Sequence, residues 1–124
     1  ITGLEDMELG KRLWVDGGKI GYVSQAAVYH IHDESWLQTK NRYMREAIAM
    51  KNIEDSLSLS LVHLVKYILI SLRSDFRAAW REGNFLVNMF SIIRFRSAQY
   101  LGTYLGGKKS ARVTMRDLEK FYYP

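Results

Sequence analysis

At 124 residues the chain has the length of one ordinary domain, and with 48% hydrophobic residues it can bury a core, which excludes a disordered tail. Nine glycines with a single proline exclude collagen-like and Pro-rich architectures, and the lack of cysteine excludes disulfide frameworks, thiolate zinc sites and cysteine nucleophiles. The net charge of +5 is uneven: residues 1–56 hold 7 Lys/Arg against 9 Asp/Glu, and residues 57–124 hold 11 against 4, so −2 is followed by +7. An acid-bearing segment thus precedes a basic, apolar one of the kind that meets an anionic surface.

Residues 3–15 read as a helix. Thr2 stands three residues before Glu5 as a cap pair, and Glu5, Asp6 and Glu8 suit the dipole of the first turn. No Met or signal peptide opens the chain, and a chain that begins at a helix cap is expected to be the C-terminal part of a longer one. Gly17-Gly18 end the helix. Lys19–Val23 and Ala26–His32, rich in β-branched and aromatic residues, read as two short strands.

Ser35 and Gln38 form a capping box for a helix to about Lys51. The composition shifts near Asn52–Asp55. A long helix follows from about Asp55 to Glu82. Its apolar run, Leu57 to Leu72, is 16 residues and contains His63 and Lys66, short of the roughly 20 apolar residues a membrane span needs. Arg73, Arg77 and Arg81 share one face at four-residue spacing. Asn84 caps a helix to about Leu101, in which Arg94 and Arg96 follow the apolar run Phe85–Ile93; Gly102, Gly106 and Gly107 break it. Thr114–Tyr123 reads as a closing helix. Apolar helices flanked by Arg, with Tyr67 and Trp80 near the ends, fit contact with a membrane surface; a soluble bundle with a solvated Arg face fits equally.

Three groupings can carry chemistry. The carboxylates of Glu5-Asp6-x-Glu8 are held by backbone N–H groups at a helix start, either as an anionic proton acceptor or simply as partners of the dipole. His30 and His32 point to one side of a strand and can meet a metal, although two imidazoles alone leave a metal under-coordinated. Gln38, Arg42 and Tyr43 lie together on a helix, where Arg beside an aromatic suits a diphosphate or sugar, or is merely solvated. No Asp-x-Asp triplet and no Gly-rich phosphate loop occurs.

The order of these groupings carries a resemblance. Gly3-Leu4-Glu5-Asp6-Met7-Glu8-Leu9, Arg12-Leu13, Gly18-Lys19-Ile20-Gly21-Tyr22-Val23 and Ala26-x-Val28-Tyr29-His30-x-His32, followed by Glu34-Ser35-Trp36 and Arg42-Tyr43, resemble the C-terminal part of the catalytic domain of family 2 glycosyltransferases. The resemblance covers roughly residues 1–52. It implies an α/β fold, the acceptor-side part of a GT-A domain in residues 1–52, followed by a helical, basic, membrane-associating extension in residues 53–124. It implies inverting, hexosyltransferase-like transfer from a nucleotide-sugar donor to a saccharide or lipid-linked acceptor in cell-surface polysaccharide synthesis. Asp6 is then the general base and Glu5 positions the acceptor. His30, with His32 as second choice, completes a Mg or Mn site whose other ligands lie upstream, as does the family's Asp-x-Asp, so the isolated chain is expected to be inactive. Gln38, Arg42, Tyr43 and Trp36 contact donor or acceptor, although the spacing and Tyr43 depart from the Gln-x-x-Arg-Trp of processive members, and Ser24 stands where the family often has Pro. The expected location is peripheral, at the cytoplasmic face of a membrane or in the cytoplasm, with Arg73, Arg77, Arg81, Arg94 and Arg96 meeting membrane or other anions.

The alternative is a non-enzymatic basic helical module that binds a membrane surface, nucleic acid or a partner helix. Its helices are too apolar for a solvated groove reader, so nucleic acid is not expected. Gly102-x-x-x-Gly106 supports close helix contact, including contact within a homo-oligomer.

Overall fold

Four helices make up the regular structure in the computed structural model, which describes residues 4–26, 33–53 (the side chain of Asn52 excepted) and 59–109. They are α1 (Glu5–Val15), α2 (Trp36–Ile53), α3 (Leu61–Arg81) and α4 (Phe85–Lys108). The chemistry of the chain ends sets most of these boundaries. Gly17 adopts φ +83°, and the amides of Gly17 and Gly18 reach back to the carbonyls of Trp14 and Leu13 at 3.1 and 2.8 Å, closing α1. At the head of α2, Gln38 Oε1 accepts from the Ser35 amide at 2.8 Å, and Ser35 Oγ accepts from the Gln38 amide at 3.3 Å. Ser60 Oγ caps α3 by accepting from the His63 amide. Gly83, at φ +72°, turns the chain from α3 into α4, with the Asn84 amide bonded to the Ala79 carbonyl.

The molecule is built around α4, which packs against both α2 and α3. Met44, Ile48, Ala49 and Ile53 of α2 are buried, as are Ala98, Gly102, Tyr104 and Gly106 of α4. Ala98, Gly102 and Gly106 repeat every four residues and form a flat stripe on one side of α4. A Cβ on Gly102 would collide with the Lys40 carbonyl oxygen, and one on Gly106 with that of Met44. The two backbones therefore touch where these glycines lie. Between α3 and α4, Asp75 and Arg96 form a two-pronged ion pair (2.6 and 2.9 Å), and Ser71 bonds Tyr100 at 2.6 Å. Phe85 receives the edges of Phe76 and Trp80 at centroid distances of 5.3 and 5.7 Å.

Several expectations are corrected. The described residues are all helical, with no strand among them, so the α/β class and the GT-A fragment as its architecture are overturned. Lys19–Val23 is irregular and ends in a turn, where the Ala26 amide bonds the Val23 carbonyl at 3.1 Å. A strand exists only when paired, and no described segment lies alongside to pair with it; Tyr22 is 94% exposed. Apart from Ala26, the second expected strand lies outside the described residues, as do Thr2 and the Thr114–Tyr123 helix. The N-cap of α1 is Leu4 in the left-handed region, with no side-chain bond. The Gly102 break also fails: α4 continues to Lys108 because close packing on α2 outweighs the helix penalty of glycine, about 1 kcal/mol each.

Candidate functional site

The acidic cluster follows Leu4, which is one wall of an aromatic cavity. Glu5, Asp6 and Glu8 occupy the first turn of α1, where the free amides and the dipole favour anions. Glu5 and Asp6 are exposed. Asp6 Oδ1 accepts from the Met7 amide at 2.8 Å, which fixes one oxygen and leaves the other to the solvent side. Leu4, the residue before this turn, lines a cavity of about 470 Å³ between α2, the start of α3 and the end of α4. Tyr43, Glu46, Met50, His63, Tyr67 and Thr103 supply its walls. His63 and Tyr67 stack at 6.1 Å with 27° between planes, and Ser60 Oγ lies 3.1 Å from His63 Nδ1. Such a cleft has aromatic faces for a sugar ring or apolar chain and a few polar atoms to orient it.

The expected contact residues on α2 are placed differently from one another. Gln38 serves the helix cap through its side-chain oxygen. Arg42 bonds Glu34 at 3.0 Å, faces Glu46 at 3.7 Å and stacks over Tyr43 at 4.6 Å. Burial works against its charge, but the hydrogen bond and charge of Glu34, with Tyr43 and Glu46, prevail and raise its pKa above the ordinary guanidinium value. Arg42 thus clasps α2 to the segment before it. Tyr43 meets the edge of Phe95 at 6.1 Å and borders the cavity. Trp36 donates from Nε1 to Ser97 Oγ at 3.0 Å, joining α2 to α4, with Lys40 above its ring.

Comparison with protein-family models, curated proteins and solved structures finds no match.

His30 and His32 lie outside the described residues. Among those described, no three His, Asp or Glu side chains gather in the way a metal ion needs. Arg73, Arg77, Arg81 and Arg94 are exposed, whereas Arg96 turns inward to Asp75. The structure adds Glu46, Met50 and His63, which sequence reading did not single out, and places Tyr67, read there as an interfacial aromatic, in the cavity wall. The available signal was the four-residue spacing of His63 and Tyr67, which stacks side chains on one helix face.

Proposed function

We propose that the chain is the acceptor-side part of an inverting glycosyltransferase that moves a sugar from a nucleotide-sugar donor to a saccharide or lipid-linked acceptor. The observation that carries this reading is Asp6, a solvent-facing carboxylate in the first turn of α1, held through one oxygen by the Met7 amide. It stands within the Glu5-Asp6-x-Glu8 run that resembles the base-bearing segment of family 2 glycosyltransferases. As base, Asp6 takes the proton of the acceptor hydroxyl while that oxygen bonds the anomeric carbon, and the nucleoside diphosphate departs with the electrons of the broken bond. Glu5 orients the acceptor beside it. The cavity walled by Tyr43, His63 and Tyr67 supports a place for the acceptor's ring or apolar chain.

The test is transfer by the full reading frame that contains Ile1–Pro124, with a panel of nucleotide sugars and membrane-extracted acceptors. Asp6→Asn is expected to lower kcat by about 10²–10⁴-fold. Transfer unaffected by Asp6→Asn would refute the role, and a frame that shows no transfer with any donor would refute the enzyme.

A further inference from the structure

The helix α3 is apolar on its outward side as well as on the side toward α4. The residues it turns toward α4 follow helical spacing, Leu64, Ile68, Ser71, Asp75 and Ala79, and two of them are polar and paired there with Tyr100 and Arg96. The opposite side holds Val62, Leu69, Arg73 and Trp80, at i, i+7, i+11 and i+18, flanked by Val65, Lys66 and Arg77. Val62 is 76% exposed, Leu69 61% and Trp80 73%. The first turns of α4 also display large apolar groups, with Leu86, Val87 and Phe90 exposed. A soluble bundle with a solvated Arg face would bury these groups and leave charge outside.

We infer that the α3–α4 hairpin lays the outward side of α3 into the interfacial layer of an anionic lipid bilayer. Neither α3 nor any other described helix is long and apolar enough to cross a membrane, so the contact is one of lying in the surface. Three features select lipid over a protein groove. First, Lys66, Arg73 and Arg77 sit among the apolar groups on the same side, so a dry groove would strip their hydration, whereas long basic side chains at a bilayer surface reach the phosphates while their stems stay apolar. Second, the charge is one-sided: from Leu61 to Lys109 there are eight Lys and Arg, and the acids are Asp75 and Glu82 alone. Third, Asp75 is turned inward to Arg96, so it does not oppose an anionic surface. Trp80 stands where indoles favour the headgroup level.

The experiment is co-sedimentation of the full 124-residue chain with vesicles of phosphatidylcholine alone and of phosphatidylcholine with phosphatidylserine. Binding is expected on the serine-containing vesicles, weakening with salt, together with a blue shift of tryptophan emission that Trp80→Phe removes. The double variant Val62→Glu/Leu69→Glu, whose sites are exposed and whose helicity circular dichroism verifies, is expected to bind at least about tenfold more weakly. Arg73→Gln and Arg77→Gln are each expected to cost about fivefold. Failure to bind either vesicle overturns the inference. So does binding that the Glu pair leaves unchanged, which would be charge attraction without insertion. Self-association abolished by the Glu pair, with no vesicle binding, would give the surface to a second copy and also overturn it.

Discussion

The missing side chains of Gly102 and Gly106 let α4 rest on the backbone of α2. An added methyl at Gly102 would meet the Lys40 carbonyl and would stand 3.1 Å from the Met44 nitrogen; at Gly106 it would stand 2.8 Å from Ala47 Cβ. Backbone cannot swing aside as a side chain does, so the helices must separate. Gly102→Ala and Gly106→Ala are each expected to destabilise the chain by about 1–3 kcal/mol in urea denaturation. Gly107, in the same helix, has nothing within 4 Å of a built Cβ, and Gly107→Ala is expected to gain up to about 1 kcal/mol from helix propensity. Equal gains at all three positions would show that propensity, not contact, governs these sites. The Asp75–Arg96 pair acts at the same scale. The hydrogen bond from Arg96 to Asp75 outweighs burial and raises the guanidinium pKa above its ordinary value. Because the folded value lies above the unfolded one, this stabilisation is complete below the unfolded value and fades only as pH climbs through the folded one, in strong alkali. Asp75→Asn is therefore expected to cost about 1–2 kcal/mol, with the same cost from about pH 7 to about pH 10. A cost that disappears across that range would contradict the assignment.

At the scale of helices, the features legible in sequence were ones decided within one turn, although the cap of α1 is Leu4 and Asn84 caps α4 without a side-chain bond. The Ser35–Gln38 box of α2 and the Gly17-Gly18 stop of α1 stand where their residue types put them, because caps satisfy amides and carbonyls a few residues away. Ser35→Ala is expected to lower stability by about 1 kcal/mol, measured by thermal or urea unfolding, and an unchanged midpoint would show that the cap is incidental. What depended on a distant partner was not legible. Ile20 and Tyr22 alternate as a strand does, yet alternation does not say whether another strand is at hand. Glycines in α4 signal a break until α2 is known to lie against them. The site divides the same way. Glu5 and Asp6 open a helix as their acidity suggests, whereas Arg42 proved to be held by Glu34 and Glu46, the latter visible beforehand only as an i+4 neighbour. The cavity joins α2, α3 and α4 across more than sixty positions of sequence, and no local pattern encodes such a meeting.

For the molecule as a whole, the four helices are not held equally. α4 packs on both α2 and α3, but α1 buries no residue and reaches α2 mainly through the Lys11 ammonium at the Ile53 carbonyl. Its apolar residues remain outside: Leu9 and Leu13 are each 50% exposed and Trp14 is 70%. An 11-residue helix is below the length at which helices persist alone in water, and the part-buried Lys11 bond does not by itself supply the difference. The acidic turn proposed as the catalytic base thus rides on the least buried of the described helices. In hydrogen exchange of this chain, the amides of α1 are expected to exchange at close to peptide rates, while those of α2 and α4 facing their shared interior exchange slowest. If the glycosyltransferase reading holds, Leu9, Leu13 and Trp14 are the residues against which the rest of the enzyme packs, and the same α1 amides are expected to become protected in the longer reading frame. Protection of α1 equal to that of α2 in the 124-residue chain would contradict the weak anchoring. Fast exchange of α1 in the longer frame would leave Asp6 on a mobile turn, unsuited to hold a proton acceptor in place, and would count against its role as the base.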